Sequence, residues 1–220
     1  MILRSFLASA ALVAFVCGAS MDGANKPAKP MFQSVDPSKA TLVGSGEGKE
    51  YCAVCGMNLV KFYKTNHVWN GKQVASLHCL YEITEGKIPS DAQVVDTKNL
   101  NLIDVNKAFY VVGSKVKGTM SRNSKYAFST EADAKEFQAE NGGEIMSFAK
   151  AYEIAGQDFE GDNKMIKAKR EGGVYAHGKE FYETNCAKTE AKNFKAISEL
   201  KAHLKNVCDA KGASKEPEYD

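Results

Sequence analysis

Short apolar runs separated by turn residues dominate the chain from residue 51 to about residue 154. The run at 109–112 predicts a strong β-strand, and the shorter runs at 94–95 and 102–103 predict weaker ones. Apolar and polar positions alternate over 68–77 around an Asn-Gly pair, which is typical of a β-hairpin with a two-residue turn.

Two helices are predicted among these strands. One covers 78–84, and the other begins after Thr130, a typical N-cap residue, and stops at the Asn-Gly-Gly at 141–143. Each helix follows a strand-like stretch, at 74–77 and at 126–128. This repeated order predicts an α+β fold of two similar small β-sheet-plus-helix units with mostly antiparallel strands, followed by a small helical C-terminal segment.

The flanking regions have a different texture. Residues 1–20 combine a positive start with an apolar stretch of about a dozen residues, which is typical of a secretory signal peptide and too short for a bilayer that needs about twenty. Residues 21–49 are rich in Gly, Pro, Ser and Lys and predict a flexible linker. The other predicted regions are 50–156, the main domain; 157–178, a charged, Gly-containing linker; 179–210, the helical segment; and 211–220, a polar tail.

Composition and charge restrict the function classes. The chain is 44% hydrophobic and 25% charged, as in ordinary folded proteins. Its formal net charge of +2, without a basic stripe interleaved with aromatic residues, argues against a nucleic-acid partner. The leader predicts export to the cell envelope, either with cleavage near Ser20 or as a lipoprotein anchored to the membrane through Cys17.

The cysteine count is informative in an exported chain. Of six cysteines, five remain once Cys17 is removed or lipidated, and an odd number in an oxidising compartment leaves at least one thiol unpaired. We expect Cys186 and Cys208 to form a disulfide that closes the helical segment, which would stabilise it by about 3 kcal/mol.

The segment 52–57, Cys-Ala-Val-Cys-Gly-Met, carries the candidate chemistry. The spacing of Cys52 and Cys55 allows both sulfurs to reach one metal ion or to form one disulfide, and spacing alone does not choose. Gly56 permits a tight turn that places Met57 close to Cys55. A thiolate beside a thioether is a soft pair that favours Cu(I).

These residues resemble the NosL family, the periplasmic copper chaperones that act as accessory proteins of nitrous oxide reductase. The resemblance covers about residues 51–155 and rests on the Cys-Gly-Met at 55–57, the His-Cys at 78–79, and a block at 108–148 with Met120 in its loop. It implies two related strand-and-helix units, a Cu(I) site at Cys55 and Met57, and delivery of copper to nitrous oxide reductase or its assembly machinery.

Further ligands remain open. Several members of the family have a single cysteine at this site, so Cys52 is either a third ligand or a redox lock. His78, Cys79 and Met120 are candidates to complete the shell. Each candidate also has a structural interpretation: a Cys52–Cys55 disulfide, core packing for Met57 and Cys79, a hydrogen-bonded histidine at His78, and a packed turn residue at Met120.

The segment 178–186 resembles the opening helix of a c-type cytochrome. Haem attachment needs Cys-x-x-Cys-His, whereas Cys186 is followed by Ala-Lys-Thr-Glu, so we expect no haem.

The first functional hypothesis is a monomeric periplasmic metallochaperone, a carrier and not an enzyme. The alternative is a thiol-disulfide oxidoreductase that uses the Cys52 and Cys55 pair. A blue-copper electron carrier would need two histidines beside a cysteine, and no histidine closely follows the pair.

Overall fold

The computed structural model describes residues 31–187 and 192–209. The predicted signal peptide, Cys17, the first part of the linker and the polar tail lie outside these residues. Among the described residues, no helix combines the length and the apolar character needed to cross a membrane.

The first unit contains a four-stranded antiparallel sheet in the order β2-β1-β3-β4. The predicted hairpin is confirmed: β1 and β2 pair through a turn in which Asn70 and Gly71 both have positive φ, 48° and 70°, as a primed two-residue turn requires. The strands are β1 (His67–Trp69), β2 (Lys72–Val74), β3 (Gln93–Val95) and β4 (Leu102–Asp104).

The helix of the first unit, α1 (Leu77–Ile83), follows β2 after two residues. Ser76 caps it, since its hydroxyl accepts a hydrogen bond from the backbone N–H of Cys79. The first turn of α1, including Cys79, is fully buried against the sheet.

The second unit contains a three-stranded antiparallel sheet in the order β6-β5-β7 and the helix α2. As predicted, Thr130 caps α2 through the backbone N–H of Asp133, and Gly142 ends it with a φ of 69°. The α+β class and the two related units are therefore confirmed. The elements are β5 (Phe109–Val112), β6 (Lys125–Phe128), α2 (Glu131–Asn141) and β7 (Glu144–Met146).

The region 157–178, predicted as a linker, is helical. The helix α3 (Phe148–Lys169) runs through a π-helical turn, Arg170–Val174, into α4 (Tyr175–Asn185). The buried apolar face of α3, Phe148, Ala151, Tyr152 and Ala155, lies before residue 157. The charged residues after 157 continue the same helix, so their composition alone indicated a linker.

The linker prediction for 21–49 also differs from the structure where residues are described. Phe32 packs edge-on against Tyr126 with ring centroids 5.3 Å apart, and the buried Gln33 donates a hydrogen bond to the carbonyl of Lys117. These contacts hold the described part of the segment against the domain, although its composition has no apolar periodicity.

The predicted disulfide between Cys186 and Cys208 is present. It joins the end of α4 to α5 (Ile197–Asp209). The helix α5 lies against the short turn Glu47–Glu50, which shortly precedes Cys52.

Candidate metal centre

Three cysteines converge in the first unit. The sulfurs of Cys52, Cys55 and Cys79 all lie within 4.8 Å of one another, and all three thiols are free. Within residues 31–187 and 192–209, these three cysteines form the group of His, Cys, Asp or Glu side chains that lie close enough to share one metal ion. Cys52 and Cys79 are fully buried, whereas Cys55 is partly exposed.

A closed turn carries Cys52 and Cys55. Its ends are joined by a β-bridge between Tyr51 and Asn58 and by a 2.8 Å hydrogen bond from the N–H of Cys52 to the carbonyl of Met57. Gly56 has a φ of 72°, a left-handed conformation that glycine adopts without strain. The backbone therefore reverses direction between residues 52 and 57, which brings the two cysteine sulfurs together.

The residue after strand β2 orients the sulfur of Cys52. The backbone N–H of Ala75, just after β2, donates a 3.3 Å hydrogen bond to Sγ of Cys52, and the N–H of Cys55 lies 3.5 Å from the same atom. A buried sulfur that accepts backbone N–H groups is stabilised in its anionic form.

The third sulfur comes from α1. Cys79 lies in the first turn of this helix, which the Ser76 cap and the buried side chains of Leu77 and Leu80 hold against the sheet. The cluster thus joins a turn, a strand end and a helix start, and α1 contributes its sulfur from a rigid element.

The three thiols share hydrogen bonds unequally. Donation from the Cys55 thiol, and then from the Cys79 thiol, holds the pKa of Cys52 far below its usual range. The same hydrogen bonds to Cys52, together with burial, raise the pKa of Cys55 and of Cys79. In the metal-free cluster, Cys52 is therefore the thiolate and the other two residues are thiol donors.

The geometry suits a soft ion. Metal–thiolate bonds are about 2.3 Å long, so sulfurs within 4.8 Å of one another can contact one ion with little movement. Sulfur ligands without oxygen ligands select monovalent copper or other thiophilic ions over hard cations.

His78, a predicted ligand, is not brought into this group. Its ring stacks on Phe159 at 4.7 Å between centroids, its Nδ1 lies 3.9 Å from Oδ2 of Asp162, and neither ring nitrogen has a hydrogen-bond partner. Neighbouring residues on a helix project about 100° apart, so Cys79 and His78 face different surroundings.

The two predicted thioether ligands lie on the same core as the cysteines. Met57 and Met120 are both partly buried and pack against the cluster of apolar side chains that contains Cys52 and Cys79. Met120 occupies a left-handed turn with a φ of 60°. Ligation by either sulfur stays a prediction.

Sequence reasoning missed two neighbours of the site. One is the N–H of Ala75, a backbone group that no side-chain motif reports. The other is α5, more than 140 positions along the chain: a Cβ added to Gly56 would lie 3.0 Å from Cγ1 of Ile197 and 3.1 Å from Cγ of Lys201.

The chain is similar to known proteins both in a family model and among solved structures. Residues 86–154 match the family model NosL, and this segment lies C-terminal to all three cysteines. The crystal structure of the copper chaperone NosL from Shewanella denitrificans is 20% identical, covering 52% of this chain and 96% of that chain, with a TM-score of 0.38. That TM-score is too low to support a structural argument. No curated protein matches this chain.

Proposed function

We propose, on the premise that this chain is a member of the NosL family through residues 86–154, that it is a Cu(I)-binding metallochaperone. The observation that carries the proposal is the convergence of three free cysteine sulfurs within 4.8 Å. Copper is the cargo of such a protein, and no chemical conversion is needed.

The unequal exposure of the three sulfurs supports a carrier role. Cys52 and Cys79 are fully buried and hold the ion from inside, while Cys55 is partly exposed and is the sulfur that an incoming ligand can reach first. An acceptor can then add its own sulfur or nitrogen before the buried pair releases the ion. A site closed on all sides would slow this exchange.

The proposed client and compartment are those that the resemblance to the NosL family implies. We propose that the protein works as a monomer in the periplasm and delivers copper to nitrous oxide reductase or its assembly machinery. Residues 1–20 act as the export signal, which is either cleaved near Ser20 or lipidated at Cys17. The Cys186–Cys208 disulfide supports an oxidising compartment.

Anaerobic competition with a Cu(I) chelator tests the proposal. We expect the parent protein to bind one ion per chain, and Cys55→Ser to lose at least about 100-fold in affinity while keeping its circular dichroism spectrum. Parent protein that fails to compete, or a Cys55→Ser variant that competes equally well, would overturn the proposal.

Matched methionine variants test the thioether. Met57→Leu should weaken binding about tenfold, whereas Met146→Leu, a partly buried methionine of β7, should leave it unchanged. Equal effects of the two substitutions would remove Met57 from the ligand set.

The alternative, a thiol-disulfide oxidoreductase, is tested by insulin reduction. Cys52 has the lowest pKa of the three thiols and would be the attacking sulfur of such an enzyme. It is fully buried, which hinders its attack on a disulfide of another protein. We therefore expect no turnover. Sustained turnover that Cys52→Ser abolishes would favour the enzyme instead.

A further inference from the structure

We propose that the C-terminal helix α5 is a cap over the cysteine turn and controls how fast ligands reach Cys55. The turn that carries Cys52 and Cys55 is preceded directly by the Glu47–Glu50 turn, and α5 lies against both. The copper-transfer part of this inference rests on the proposed function, whereas the accessibility part does not.

Packing at the first turns of α5 defines the covered face. The aliphatic carbons of Ile197 and Lys201 approach Gly56 so closely that a Cβ there would lie 3.0 and 3.1 Å from them. Lys201 also places its ammonium 5.9 Å from the centre of the Tyr51 ring. These contacts lie on both sides of the cysteine turn, at Tyr51 before Cys52 and at Gly56 after Cys55.

Polar contacts hold the second half of α5. Nζ of Lys205 lies 3.2 Å from Oε2 of Glu50, and Nδ2 of Asn206 donates a 3.0 Å hydrogen bond to Oε2 of Glu47. Both contacts are exposed to solvent. Exposed ion pairs contribute about 0–1 kcal/mol, so the Lys205–Glu50 pair resists opening of the helix only weakly.

A covalent pin limits where α5 can go. The disulfide joins Cys208, near the end of α5, to Cys186 at the end of α4, and the N–H of Ala187 donates a 2.9 Å hydrogen bond to the carbonyl of Val207. Ile197, at the other end of the helix, carries no such pin and is 42% exposed. The helix therefore opens from Ile197 and stays tethered at Cys208.

Alkylation of Cys55 by iodoacetamide in the metal-free protein, with the Cys186–Cys208 disulfide intact, tests the cap. We expect Lys205→Glu to remove the ion pair with Glu50 and to place a like charge opposite it. The lost pair and the added repulsion together should raise the alkylation rate about three- to tenfold. Glu50→Lys should do the same, and the charge-swapped double variant should return to the parent rate.

Two further variants separate capping from general charge effects. Lys179→Glu breaks a comparable exposed pair with Glu183 on α4 and should leave the rate unchanged. Ile197→Ala removes the contact with Gly56 without changing charge and should raise the rate. Parent-like rates for both Lys205→Glu and Ile197→Ala, or a double variant that remains fast, would overturn the cap.

The transfer arm uses the same variants loaded with Cu(I). Release to a chelator should be faster by a similar factor in Lys205→Glu than in Lys179→Glu. If the parent protein does not bind Cu(I), the proposed function is wrong. The alkylation rates would still decide whether α5 covers the cysteine turn.

Discussion

The backbone N–H of Ala75 donates a 3.3 Å hydrogen bond to Sγ of Cys52. This contact ties the cysteine turn to the end of β2, an edge strand of the first sheet. It makes Cys52 both the predicted thiolate of the metal site and a structural acceptor, and the two roles can be separated by mutation.

Substitutions at Cys52 should affect copper binding equally and stability unequally. Cys52→Ser keeps an acceptor for the N–H of Ala75, whereas Cys52→Ala leaves that buried donor without a partner, at a cost of about 1–3 kcal/mol. Both variants should lose at least about 100-fold in Cu(I) affinity. Urea unfolding and chelator competition measure the two effects; equal stability of Ser and Ala variants would contradict the structural role.

Copper loading should release protons. The pKa of Cys55 and of Cys79 is raised because both thiols donate to Cys52 and are buried, so both are protonated near neutral pH. The pKa of Cys52 is lowered, so it has already lost its proton. Binding by all three sulfurs should therefore release about two protons per ion.

The same reasoning gives the sign of the pH effect. Affinity should fall as pH falls between about 8 and 6, because protons compete with the ion for two of the sulfurs. Proton release in weakly buffered solution measures the count directly. Release of a single proton would leave one of the two thiols, Cys55 or Cys79, outside the shell.

His67 should make the fold sensitive to mild acid. Complete burial lowers its pKa from 6.5 to about 4, and its ring nitrogens contact the carbonyl of Thr65 and the hydroxyl of Tyr110. A lowered folded-state pKa means that protonation favours the unfolded chain, so stability is lost as pH falls from about 6.5 to about 4. The loss should approach about 3 kcal/mol.

Unfolding curves at several pH values test this prediction. A His67→Gln variant should be less stable at pH 7 and lose less of its stability on acidification than the parent. The exposed His177→Gln serves as the control and should follow the parent. Identical pH slopes for parent and His67→Gln would contradict the assignment.

Two glycines of α3 should respond in opposite directions to alanine. A Cβ on Gly156 would lie 2.8 Å from the ring of Tyr81 on α1, whereas Gly161 has nothing within 4 Å. Gly161→Ala should stabilise the fold by about 0.5–1 kcal/mol through helix propensity. Gly156→Ala should destabilise it, because Tyr81 must move; thermal unfolding distinguishes the two signs.

The elements with local signals were predictable from the sequence. The Asn-Gly turn after Trp69, the Thr130 cap and the Gly142 stop all encode their geometry within a few residues, and each matches the structure. The helix α3 was not predictable in the same way. Its second half is charged and contains Gly, which indicated a linker, although a buried face begins at Phe148.

The candidate site divides in the same way. The turn at 52–57 and the burial of Cys79 follow from local patterns. Their convergence also depends on the hydrogen bond from the N–H of Ala75 to Cys52, which no side-chain motif reports. Sequence proximity predicts that His78 lies beside Cys79, whereas helical rotation directs it toward Asp162. The contact of α5 with Gly56 depends on tertiary packing, for which one sequence holds no local signal.

The disulfide at the base of α5 has a consequence for handling the protein. One molecule holds Cys186 and Cys208 in the oxidised state and three other sulfurs in the reduced state. A strong reductant preserves the cluster and severs the bond at the base of α5; vigorous aeration preserves that bond and endangers the cluster. Production in a reducing cytosol would therefore yield a chain in which α5 lacks its covalent attachment.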